Sequence, residues 1–401
     1  MATKDEIEKK LNSYDDGKIP TRENVIFIRT AEHVAKYFKK EIGKGKTEEE
    51  EDKEEDEKLP MSQRFVVKPE IFFAILQLLA QQSKQSGNNS RYYFRGESTS
   101  EYYLLPSLLR HNVYESLSDI HKEKNFIQLQ KKLLDRFRRY TQHIIHSDND
   151  FKAPIWENFD TLCLAQHYGL PTLLMDWTLN PYVAAYFAAS GAYSRMLREK
   201  LGAINKIEKY YIRIWVMKLK VPEKRKLYTV HLEDRKQDWE NLLGNTSMQP
   251  AAPLIVVPLV FTRRIASQVG RFVYCGYMAN STSKSNESKN EDDSEKGRIK
   301  SLAEYSYDCL KDGNKEVLSW RQLYSLDIEF DISSELENLK SEFENIEDQQ
   351  QKDKKLIDKK LDLFNSEIMR MIRELDFIGF NAGRLFPDLE GWARYLREGN
   401  L

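Results

Sequence analysis

Two short stretches hold the residues best suited to chemistry. Arg95 closes the alternating run RYYFR and precedes Gly96, which sets a guanidinium at a strand end beside permissive backbone. Far along the chain, LAQHYGLPTLLMDWTLNPYVAAYFA places polar His167, Asp176, Thr178 and Asn180 in a strongly apolar segment. An Arg fork binds phosphate or carboxylate bidentately. A helix opening at Pro181, behind Asn180, offers backbone N–H groups and partial positive charge to the same kind of anion. His167 and Asp176 are groups able to move a proton. The same residues also fit a structural device, a buried Arg95–Asp176 ion pair that fixes strand order.

Other patterns lack the partners that their chemistry needs. Gly45-Lys46-Thr47 ends like a phosphate loop, but the Gly required five residues earlier is Lys40, and an acidic run follows. His143 and His146 share a helix face without a carboxylate set, and the dipole at a helix C-terminus accounts for them, so no metal is expected. Lys131, Lys132, Arg136, Arg138 and Arg139 cluster with Phe137 and Tyr140, as on a nucleic-acid face. A charged helix exterior over an apolar inner stripe has the same pattern. Three dispersed cysteines without CxxC spacing exclude a disulfide framework and a Cys-based zinc site.

The elements that must position these residues are legible in the periodicity. Phe126, Leu129, Leu133, Leu134, Phe137, Tyr140 and Ile144 predict an amphipathic helix within 119–146, and 154–167 predicts another, closed by Gly169 and Pro171. Strands are predicted at 91–95, 172–177, 210–219, 254–261, 272–277 and 326–330, with Asn180-Pro181 starting a helix. Strands and helices without regular alternation predict an α+β fold with a mixed, mainly antiparallel sheet, whole or split, and flanking helices. The chain of 401 residues divides by composition into an N-terminal extension (1–65, with a short strand at 25–29 and the acidic run 48–58), a core (66–278), a polar insert (279–300) expected to be disordered, and a C-terminal part (301–401) with a long exposed helix.

Lys plus Arg number 62 against 63 Asp plus Glu, so a wholly basic nucleic-acid binder and a wholly acidic disordered chain are both disfavoured. The most apolar run, 251–261, is too short to span a bilayer and holds two prolines, and MATKDEIEKK has no apolar stretch. A soluble cytoplasmic protein without a membrane partner is expected.

The motifs resemble the FRG-domain family. The matching pieces are Phe94-Arg95-Gly96, Leu104 to Arg110 (LLPSLLR), Gln166 to Thr172 (QHYGLPT), Asp176 to Ala188, Ser267 to Phe272 (SQVGRF) and Leu385 to Leu396 (LFPDLEGWARYL). The departure is Leu173-Leu174-Met175, where the family has Arg-Leu-Leu before the Asp. A weaker similarity, an Arg-Gly strand end followed by Thr before an Ala-rich helix, is to ADP-ribosyltransferases. That likeness implies an ADP-ribosyltransferase-like core with NAD as substrate. Arg95 and Gly96 would hold the dinucleotide with Asn180, and Thr178 would orient a ribose. Gln268 stands where the transferase carboxylate belongs and supplies no negative charge to a developing cation. Glu329, in LDIEF, is the replacement available by type, and His167 or Asp176 could supply acid–base chemistry by another route. The expectation is a nucleotide-interacting FRG-domain protein, a bacterial toxin or phage-defence effector. Its competitors are a non-enzymatic interaction protein whose acidic run and 336–375 helix (Leu336, Leu339, Phe343, Ile346) contact a partner, and an RNA binder using 131–139.

Overall fold

The computed structural model describes residues 64–69, 90–101, 104–110, 125–147, 158–198, 208–220, 229–230, 254–256, 263–276, 323–342 and 348–398, with positions 72–73, 75–77, 79–80, 113, 116–117 and 302. The acidic run, the 25–29 strand, the GKT triplet, the polar insert and the side chains of His143, His146, Leu339, Phe343 and Ile346 lie outside them. In chain order the strands are β1 (Arg64–Val67), β2 (Ser90–Glu97), β3 (Leu174–Thr178), β4 (Lys209–Lys220), β5 (Thr229–Val230), β6 (Leu254–Val256), β7 (Gly270–Tyr274) and β8 (Leu323–Asp331). The helices are α1 (Phe126–Ser147), α2 (Asn158–His167), α3 (Pro181–Arg198), α4 (Arg263–Ser267), α5 (Ser333–Glu342), α6 (Gln349–Phe377), α7 (Ala382–Leu385) and α8 (Leu389–Arg397). The fold is α+β with mixed, mostly antiparallel strands. None of these helices is long and apolar enough to cross a membrane.

The chain forms two compact units, each assembled from separated segments. The first takes Met1–Tyr102, Asn180–Leu219 and Gln322–Leu401; the second takes Tyr103–Leu179 and Lys220–Arg321. In the first unit the strand order is β1-β8-β4-β2. β1 runs parallel to β8, with Val67 opposite Ile328, and β4 runs antiparallel to β8, with Ile212 opposite that same residue. Side chains alternate across a strand, so Tyr92, Phe94, Ile212, Ile214, Val216, Leu326, Ile328 and Phe330 all reach one face. There they meet Val183, Ala184, Ala188 and Met196 of α3 and Leu361, Phe364, Ile368 and Leu375 of α6 in a single apolar core.

Local sequence explains where these helices start. Asn180 caps α3 through its Oδ1, which accepts from the Tyr182 N–H at 3.0 Å, and Pro181 needs no hydrogen bond at the first helical position. Asp348 caps α6, accepting from the Gln350 and Gln351 N–H groups. The single helix expected over 336–375 is therefore two helices, since α5 ends at Glu342 and Asp348 opens a new one. The apolar stripe of α6 is spent inside its own unit.

In the second unit the strand order is β3-β7-β6-β5, with β3 and β6 both antiparallel to β7. α1 buries Ile127, Leu129, Leu133 and Leu134 and exposes Lys131, Lys132, Arg136 and Arg139. α2 closes with the Gly169 N–H bonded to the Gln166 carbonyl and the Leu170 N–H to the Ala165 carbonyl. Gly169 takes φ +86°, the left-handed residue that such a helix end requires.

α8 is fastened to α3 by a buried polar cluster. The Tyr186 hydroxyl donates to both Glu398 carboxylate oxygens, at 2.9 and 3.0 Å. Arg394 donates to Glu398 Oε1 at 3.2 Å and to Ser190 Oγ at 3.0 Å. Burial pushes the Glu398 carboxyl above its ordinary 4.5, opposed by the Tyr186 hydrogen bond and the Arg394 charge. The folded state thus holds this proton to higher pH than the unfolded chain does, and stability falls as pH rises from the ordinary value through the folded one. Glu398→Gln removes that slope: urea unfolding between pH 4 and 7 should show the wild type losing stability relative to the variant as pH rises.

Candidate functional site

The two faces of the first unit's sheet differ in chemistry. Opposite the apolar core, the alternate positions of three adjacent strands are polar. They are Arg95 and Glu97 on β2, Tyr211, Arg213 and Trp215 on β4, and Ser325, Asp327 and Glu329 on β8. Most are buried nonetheless, Asp327 at 0%, Arg213 at 5% and Glu329 at 6% exposure. Burying such groups is tolerable only if they are paired; the charged ones are, whereas the buried Trp215 Nε1 and Ser325 Oγ have no hydrogen-bond partner. Arg213 makes a two-pronged bridge to Asp327, Nε–Oδ1 at 2.6 Å and Nη2–Oδ2 at 2.8 Å, as the register that sets them opposite each other allows. The Arg213 guanidinium also lies over the Trp215 ring, 5.0 Å from its centre. Glu329 accepts from the Tyr211 hydroxyl at 2.7 Å and from Lys209 Nζ at 3.4 Å.

Arg95 belongs to this face. Its Nε donates to Glu97 Oε1 at 2.7 Å, two residues along the same strand side. Glu97 thereby fixes the guanidinium's orientation. Gly96 points the other way, into the core. A Cβ there would collide with the Ala184 carbonyl oxygen and come within 2.8 Å of the Ala188 nitrogen. Gly96 is the point where β2 meets the backbone of α3.

In the second unit Asp176 is exposed. A chain of hydrogen bonds within the unit holds it. Gln166 Nε2 donates to Asp176 Oδ2 at 2.9 Å, Thr172 Oγ1 donates to Gln166 Oε1 at 2.7 Å, and the Leu174 N–H donates to Thr172 Oγ1 at 3.0 Å. The Thr172 N–H in turn donates to Ser107 Oγ at 3.2 Å. His167, next to Gln166, lies edge-on to Tyr168. Asp176 and Thr178, two apart on β3, share a sheet face.

The Thr178 hydroxyl donates to the Gln268 carbonyl at 2.7 Å, so it is the backbone of Gln268 that engages it. The next residue, Val269, holds φ 49°. A β-branched residue in the left-handed region is strained by about 1–3 kcal/mol, and such strain concentrates at functional sites. Val269's carbonyl accepts from the Leu179 N–H at 3.3 Å, so the turn grips the end of β3 twice.

Sequence reasoning thus reached Arg95, Glu329, Asp176 and Thr178 but missed Glu97, Tyr211, Arg213, Asp327 and Gln166. The signal for most of the missed residues was there. YYIRIWV and LYSLDIEFD alternate apolar with polar residues at period two. That pattern ordinarily marks a solvated face, whereas here it marks a buried one whose charged members are paired. The charged exterior of α1 follows the expected pattern, with Arg138 Nε reaching Thr161 Oγ1 at 3.4 Å.

Fold and motifs together define an α+β protein built on an Arg-Gly strand end packed against an Ala-rich helix. The chain carries an FRG domain: residues 90–195 match the FRG domain family model. That span contains β2, the Gln166–Thr172–Asp176 chain and α3. No curated protein and no solved structure matches the chain.

Two outcomes follow. Gly96→Ala forces backbone apart and should cost about 3 kcal/mol, measured by urea unfolding. Asp327→Ala strands a buried Arg213 and should cost about 3–5 kcal/mol, whereas the paired replacement Arg213→Met with Asp327→Leu recovers most of it.

Proposed function

We propose that this FRG-domain protein binds a nucleotide, with NAD the first candidate, through the polar face of the first unit's sheet. Arg95 supplies the anion-holding group and Glu329 the carboxylate. The supporting observation is that Arg95 and Glu329 lie on the same side of one sheet, opposite the apolar core, each held by a neighbour on that side. This answers the difficulty posed by Gln268. A carboxylate held by Tyr211 and Lys209 could stabilise the positive charge that develops on ribose as nicotinamide leaves. Thr178, Gln268, Asp176 and His167 belong to the second unit and are tested separately from this face. The proposed setting is the cytoplasm, with NAD consumption as the harmful act of a toxin or phage-defence effector.

The test is incubation of the full chain with NAD, following released nicotinamide and, separately, binding by calorimetry. Arg95→Lys retains a cation for Glu97, so loss of binding in that variant reports the lost fork. Glu329→Gln should lower nicotinamide release about a hundredfold or more while binding persists. Thr178→Ala and Asp176→Asn assign or dismiss the second cluster. A wild-type chain that neither binds nor cleaves NAD defeats the reading.

A further inference from the structure

Helix α8 is turned inside out. On the helical wheel Gly391, Arg394, Tyr395 and Glu398 share one side. That side is inward: Gly391 and Glu398 are buried, and Arg394 joins Glu398 in the cluster with Tyr186 and Ser190. Gly391 is needed there because a Cβ would strike the Phe386 carbonyl oxygen. Tyr395 reaches Asp376 Oδ2 at 3.4 Å.

The outward side carries Leu389, Trp392, Ala393 and Leu396. Their spacing of three and four is that of an apolar stripe made to be covered. Leu389 is 89% exposed, and Trp392 and Leu396 are each 54% exposed. Phe377, next in sequence to the Asp376 that Tyr395 touches, is 84% exposed. A scattered exposed leucine needs no explanation, but a contiguous stripe with a tryptophan at its centre marks an interaction surface.

The charges beside the stripe specify the occupant. Glu390 and Arg397, both exposed, lie on one flank, near the start and the end of the helix. When two such helices pack antiparallel about a two-fold axis, that flank meets its own copy in reverse. Glu390 of one copy then faces Arg397 of the other, twice, while the leucines at the two ends of the stripe come together around Trp392 and Ala393. A uniformly basic flank would have suited an anionic lipid surface; one acid and one base at opposite ends suit a second copy.

We propose that α8 is a self-complementary docking surface through which two copies of this chain pair antiparallel, with Phe377 at its margin. Sedimentation equilibrium of the full chain should show a dimer at micromolar concentration. Leu389→Glu with Leu396→Glu should give a monomer, with circular dichroism unchanged because both positions are exposed. Glu390→Arg or Arg397→Glu alone should weaken the dimer about tenfold, and the two together should restore it. A wild-type chain that stays monomeric at high micromolar concentration overturns the proposal. So does a dimer indifferent to the leucine changes, or a double charge reversal that fails to restore what each single reversal loses. Monomeric wild type that floats with anionic vesicles and loses this in the leucine variant would assign the surface to membrane instead.

Discussion

Everything in the first unit depends on how closely β2 can approach α3. The contact is between backbones, Gly96 against the carbonyl of Ala184 and the nitrogen of Ala188, and it tolerates no side chain at position 96. The small residues Ala184, Ala185, Ala188, Ala189 and Ala192 are all fully buried. They let the helix sit low on the sheet, as small residues do wherever two backbones must meet closely. Because successive strand residues face opposite sides, seating Gly96 on the helix obliges Arg95 and Glu97 to stand on the other face. The Arg-Gly pair is thus one constraint seen from two sides: the glycine fixes the strand's depth, and the depth fixes the arginine.

The polar face reflects a second economy. Arg213 with Asp327, Tyr211 with Glu329 and Arg95 with Glu97 each satisfy their charges on the strand surface itself. Buried ion pairs of this kind add little net stability over apolar replacements of the same volume. Retaining several of them side by side costs the fold something. The second unit follows the same habit at smaller scale, using Gln166 and Thr172 to aim one carboxylate and a strained turn at Val269 to hold one hydroxyl.

Much of the architecture was legible from periodicity and caps. The Asn180-Pro181 start of α3 and most of the inner stripe of α1 follow from local rules that tertiary packing reinforces. By contrast, β2 runs on past the expected end at Arg95 to Glu97, β3 reaches Thr178, and Tyr140 of the stripe is exposed. The long helix broke where the sequence reading ran through, because Asp348 caps a new helix and a cap overrides a weak apolar rhythm. Site residues were harder. Arg95 and Asp176 stood out as polar groups in apolar runs, but their partners did not. Glu97 is adjacent to a glycine and looks like a loop residue, Gln166 sits beside a more conspicuous histidine, and Arg213 and Asp327 read as the wet side of a strand. Pairing across strands 114 residues apart leaves no local trace.

The segmental construction of the first unit has a consequence for how the chain comes to its native state. Tyr186 and Glu398 are partners across 212 residues. At ordinary translation speeds the helix carrying the tyrosine waits about 10–40 s for the glutamate to be made. β4 likewise waits for β8, leaving an apolar strand edge unpaired while the intervening segment is synthesised. The second unit's residues are complete well before the first unit's, so the first unit must hold off wrong pairings for the whole interval. The first unit therefore closes only once β8 and α8, made after the last segment of the second unit, have been synthesised.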